Sequence, residues 1–92
     1  MIFVDRPSGS FAVLHTDSSH QVKKLVVNPG MRLSLQSHKY RAEHWFIVSG
    51  TGLVQLENEL IKVQQGNSVD IPIEANHRIM STSDDQLVFV EV

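Results

Sequence analysis

The chain has 92 residues, 41% of them hydrophobic and 20% charged, with eight Lys and Arg against ten Asp and Glu for a formal net charge of −2. That length is one domain, 1–92, and the composition is that of a soluble globular protein, with no basic excess to draw it to nucleic acid or anionic membranes. There is no cysteine, which removes disulfides, thiolate ligands and a thiol nucleophile, and the start Met1-Ile2-Phe3-Val4-Asp5-Arg6-Pro7 lacks the basic, long apolar pattern of a secretory signal, so a cytoplasmic location is expected.

Along the chain, five- to seven-residue runs rich in Val, Ile, Leu and Phe alternate with Gly, Pro, Asn or Asp clusters, and no helical period is sustained. Ser10–His15 and Val22–Val27 read as strands, the second closed by Asn28-Pro29-Gly30. Arg32–His38 alternates, with Leu33 and Leu35 on one side and Ser34, Gln36 and His38 on the other. His44–Ser49 stops at Gly50-Thr51-Gly52, and Leu53–Glu57 and Leu60–Gln64 flank Asn58 as a hairpin. Ser68–Ile71 ends at Pro72, His77-Arg78-Ile79-Met80 follows, and Leu87–Val92 closes the chain. About nine short strands without a helix predict an all-β antiparallel barrel or two-sheet sandwich.

The polar residues inside strands separate these architectures. A strand facing a dry core excludes His, Gln and Glu, yet Gln36 and His38 share a strand face, Glu43 opens the next strand and His77 opens a later one. An i, i+2 pair on a strand places two side chains roughly 7 Å apart at the backbone. Two imidazoles, a carboxylate and an amide oxygen form a donor set for a divalent metal that leaves positions open. His15 and His20, which bracket the polar turn Thr16–Ser19, and His44, which alternates away from Glu43, read as surface residues.

The segment Gly30 to Gly50, with Gln36, His38, Glu43 and Gly50 in register, resembles the first cupin motif, Gln36 taking the place of its first His. Gly66 through Pro72 to His77 resembles the second, with Glu74 where Gly is usual, and 15 residues separate Gly50 from Gly66. More specifically, Arg6-Pro7-Ser8-Gly9-Ser10, Leu33-Ser34-Leu35-Gln36, Arg41-Ala42-Glu43-His44-Trp45, Ile71-Pro72 and His77-Arg78 are similar to the type II mannose-6-phosphate isomerase domain. That domain often forms the C-terminal part of bifunctional mannose-1-phosphate guanylyltransferases. The sequence departs from it at Ser8, where Trp is usual, at Lys39 and Tyr40, where His is usual, and at Glu74; the family's acidic tail would fall beyond Val92.

The resemblance implies a cupin double-stranded β-helix, or jelly-roll barrel, with Gln36, His38, Glu43 and His77 as ligands of a divalent ion. Mixed N and O donors do not rank Zn, Mn, Fe, Co and Ni. It also implies interconversion of mannose 6-phosphate and fructose 6-phosphate, or of a related sugar phosphate, and a place in polysaccharide biosynthesis. The reaction moves a proton between C1 and C2, and needs an electrophile, a base and a cationic seat for phosphate. Arg41 is the expected charge stabiliser and phosphate contact, Lys23 a second catalytic cation and Arg78 a substrate-binding one. Glu91 is a candidate base if it points inward. The same donors suit a non-haem metal oxygenase, and the departures suit a non-catalytic metal- and sugar-binding cupin. Free strand edges on so small a domain predict a homodimer.

Overall fold

The computed structural model describes residues 2–92. Nine strands follow in chain order: β1 (Ile2–Arg6), β2 (Gly9–Thr16), β3 (Gln21–Val27), β4 (Glu43–Ser49), β5 (Thr51–Leu56), β6 (Glu59–Gln64), β7 (Ser68–Ile71), β8 (His77–Ser81) and β9 (Leu87–Glu91). They form two antiparallel sheets, one of six strands in the order β1-β2-β3-β9-β4-β7 and one of three in the order β6-β5-β8. Among the described residues no helix is long and apolar enough to cross a membrane.

The alternating strands close on one another through their apolar faces. In β4, Glu43, Trp45 and Ile47 point inward while His44, Phe46 and Val48 point out, the period of two that a half-buried strand requires. Val27, Ile47 and Phe89 from the larger sheet meet Val54, Val63 and Ile79 from the smaller one in a single buried cluster. The core therefore lies between the sheets. Each fully buried aliphatic or aromatic side chain there contributes about 1.5–3 kcal/mol.

Two sequence expectations about strands are corrected. First, Ile2–Arg6 is a strand beyond those expected; it pairs with β2 from Ile2↔Val13 to Arg6↔Gly9 and forms one edge of the large sheet. Its lone pairing partner and mostly exposed side chains leave no alternation to read. Second, Arg32–His38 is not a continuous strand. It touches β8 through two isolated bridges, Arg32↔Met80 and Gln36↔His77. The residue numbers sum to 112 in the first pair and 113 in the second, so the segment carries one extra residue between them, as a bulge does. The alternation expected for Leu33 and Leu35 breaks accordingly. Leu33 packs against the core, whereas Leu35 is exposed.

Candidate metal centre

The bulge delivers Gln36 directly opposite His77. Gln36 N–H donates to His77 O at 3.0 Å and His77 N–H to Gln36 O at 2.8 Å, so the two side chains leave the ladder on one face. His77, at the start of β8, is buried. Its Nδ1 lies 2.9 Å from Ala75 O; a carbonyl only accepts, so Nδ1 carries the proton and Nε2 keeps its lone pair. That Nε2 stands 3.7 Å from Glu43 Oε1.

Glu43 opens β4 on the other sheet and is also buried. Trp45, two residues on and therefore on the same face, donates from Nε1 to Glu43 Oε1 at 2.9 Å. His38, in the loop before β4, brings Nε2 to 3.1 Å from Glu43 Oε2. The donor atoms of His38, Glu43 and His77 all lie within 4.8 Å of one another. Arg41 bridges two of them, Nε donating to Glu43 Oε2 at 3.3 Å and Nη2 to His38 Nε2 at 3.2 Å. Because guanidinium only donates, His38 Nε2 also presents a lone pair. Two imidazole lone pairs and a carboxylate aimed at one region, with a cation already drawn to them, fit the donor chemistry of a divalent transition ion.

The electrostatics agree. Burial lowers the His38 pKa below the usual imidazole value; the Glu43 charge opposes this, and Arg41, His77 and Lys23 add to it. The neutral ring is the ligating form. Burial pushes the Glu43 carboxyl up, but hydrogen bonds from Glu91 and Trp45, and the charge His38 and His77 carry when protonated, outweigh it and hold Glu43 below the ordinary carboxylate value. Glu91 goes the other way. Burial first, then the Glu43 charge and the hydrogen bond the two carboxyls share, raise it to about 7.

Gln36, Glu43 and His77 line a cavity of about 460 Å³. Arg41, Lys23 and Arg78 line it too, and so do Arg6 and Glu91. Lys23 sits on β3 opposite Glu91 of β9, with Nζ 5.0 Å from the centre of the Phe11 ring; the Arg6 guanidinium lies 5.7 Å from that centre. Arg78 donates from Nε to Gln55 Oε1 at 2.9 Å. Gln36 is exposed and turns its amide nitrogen toward Ser34 Oγ at 3.3 Å. His44 leaves the site, as its parity requires, and meets Asp70 at 2.6 Å outside the barrel.

Three residues at the site were not expected from the sequence: Trp45 and Ala75 as orienting partners, and Arg6 as a further cation on the cavity. The i, i+2 spacing of Trp45 from Glu43 was the available signal for the first. A backbone carbonyl leaves none.

The architecture is that of a cupin fold. A cupin 2 conserved barrel domain protein from Rhodopseudomonas palustris superposes with a TM-score of 0.80 over 89% of this chain and 57% of its own, at 24% identity, a likeness of fold. In sequence, residues 2–92 match the family described as mannose-6-phosphate isomerase C-terminal, and the chain belongs to that family. Alginate biosynthesis protein AlgA of Pseudomonas aeruginosa is 40% identical over 97% of this chain and 18% of its own length. A mannose-1-phosphate guanylyltransferase of Salmonella muenchen is 34% identical over 97% of this chain and 19% of its own. The chain thus spans less than a fifth of the length of these relatives.

Proposed function

We infer that the chain binds a divalent metal through Gln36, His38, Glu43 and His77 and isomerises a sugar phosphate, mannose 6-phosphate with fructose 6-phosphate or a close relative. The convergence of His38, Glu43 and His77 within 4.8 Å carries this reading. Family membership and the cations around the adjoining cavity support it. When bound, the ion would act as a Lewis acid toward the carbonyl and hydroxyl oxygens.

The chain's own residues have separable tasks. Arg41, exposed at the rim, contacts the substrate anion; a guanidinium binds phosphate oxygens in pairs. Lys23, Arg6 and Arg78 add positive potential on the cavity wall, Lys23 nearest to Glu91. Glu91 faces the cavity rather than solvent, which meets the condition for a base, and it takes the proton from one sugar carbon and returns it to the neighbouring one. Trp45 and Ala75 hold Glu43 and His77 in their ligating poses.

The test is elemental analysis of untreated protein, then a coupled isomerase assay with the metals found. Turnover that needs the metal and falls at least about 100-fold in Arg41→Ala, with metal still bound, is the expected result. Metal bound in full by both His38→Ala and His77→Ala would overturn the ligand assignment. Sugar binding without turnover under any metal would select a non-catalytic cupin, and oxygen uptake by an iron form an oxygenase. We also infer a homodimer through the β1 edge, where Ile2 and Phe3 are exposed. Sedimentation at monomer mass at micromolar concentration would refute it.

A further inference from the structure

A second group of metal-ligating side chains lies outside this site, on the turn that joins β2 to β3. The register of β2 shifts between Val13 and His15, and His15 pairs opposite Val22. Such an extra residue re-aims the side chains that follow it. Asp17 N–H donates to His20 O at 3.0 Å and closes the turn. The Asp17 carboxylate is then divided in use. Oδ1 accepts from Ser19 N at 2.8 Å, Ser19 Oγ at 2.8 Å and His20 N at 3.1 Å. Oδ2 instead faces His15 Nε2 at 3.0 Å. His20 approaches the same carboxylate with Nδ1 at 3.3 Å from Oδ1, and the imidazole centres are 5.1 Å apart.

We propose that His15, Asp17 and His20 form a separate surface site for a borderline divalent transition ion such as Zn, Ni or Cu(II), with its remaining positions open to water. One donor atom from each residue lies within 4.8 Å of the others. Donors on one ion held at about 2.0–2.2 Å sit about 3.0–3.5 Å apart, which His15 Nε2 and Asp17 Oδ2 already satisfy. His20 closes the set by a small rotation of an exposed ring, giving up its 3.0 Å contact with Ser19 Oγ. Two imidazoles exclude the hard cations Ca and Mg, which take oxygen ligands. One carboxylate leaves a local charge of −1 for the ion to offset. The three side chains are exposed, so the ion exchanges readily, unlike one held by buried Glu43 and His77. It would stiffen the hairpin that carries Phe11 and Lys23.

The test is calorimetric titration of metal-free protein with Zn, beside NMR during addition of Cu(II). The site predicts an equivalent of Zn that persists in His38→Ala and weakens at least about 10-fold in each of His15→Ala, His20→Ala and Asp17→Asn. Asp17→Asn keeps a turn-forming acceptor, so its loss of binding is not loss of the turn. Cu(II) should broaden the amides of residues 15–21 first. A Zn titration in which His20→Ala removes or weakens no equivalent relative to wild type, or broadening spread equally to His44, would overturn the site. A wild-type protein with no binding lost on turn substitution would do the same. The loss on turn substitution is read against wild type, so it does not depend on whether the barrel site binds metal.

Discussion

At the scale of the residue, the site depends on side chains that fix other side chains. Trp45 Nε1 donates to the Glu43 oxygen that also faces His77, and groups that orient ligands typically carry about 10- to 100-fold of metal affinity. Trp45→Phe keeps the ring in the core and removes the donor. It is expected to weaken metal binding about 10-fold, read by competition with a chelator, with the folded circular dichroism unchanged. Glu74 shows a different economy. Its backbone adopts φ 68°, a left-handed conformation that disfavours L side chains, and its N–H donates to His38 O at 2.7 Å. Glu74→Gly should relieve the backbone and stabilise the chain by about 0.5–1 kcal/mol, seen as a higher urea midpoint. The candidate ligands stood out in the sequence because Gln36, His38, Glu43 and His77 are polar residues at positions where a strand pattern predicts a dry face, and the structure brings His38, Glu43 and His77 together. The role of Glu91 was not, because strand parity is relative until a neighbouring strand fixes which face is inside.

At the scale of the element, pairing geometry decides what period alone cannot. About nine strands were expected and nine are found among the described residues, but the sets differ: β1 replaces Arg32–His38. An edge strand with exposed faces carries little hydrophobic signal, while the Arg32–His38 run alternates in sequence but is interrupted by an extra residue that only pairing with β8 reveals. Gly9 belongs to the same lesson. It pairs with both Arg6 and Val27, and a Cβ at this position would overlap Val26 O. Gly9→Ala should cost about 3 kcal/mol by forcing β2 away from β3, measurable as a lowered denaturant midpoint. In β8, the buried hydroxyl of Ser81 has no hydrogen-bond partner among the described residues. Ser81→Ala removes that unsatisfied group and should raise the thermal midpoint by about 4–8 °C for each kcal/mol gained, with about 1 kcal/mol expected.

At the scale of the whole molecule, the four proposed ligands do not share a sheet. Glu43 comes from the six-stranded sheet, His77 from the three-stranded one, and Gln36 and His38 from the segment between. A ligand that binds only the folded chain at 100 times its Kd adds about 2.7 kcal/mol, a sizeable share for a domain of this length. Stripping the metal with a chelator should therefore lower the thermal midpoint by roughly 10–20 °C, and His77→Ala should show the lower value with or without metal.

Because the proposed ligands straddle both sheets, a bound ion would act as a rivet at one mouth of the barrel. The other end is joined by the short β4–β5 link and by close packing, where Gly52 lets Leu87 approach. Without the rivet the walls are free to splay from the Gln36–His77 seam like a clothes-peg pivoting on its far end, and amide exchange should quicken along that seam well before it quickens at Leu87.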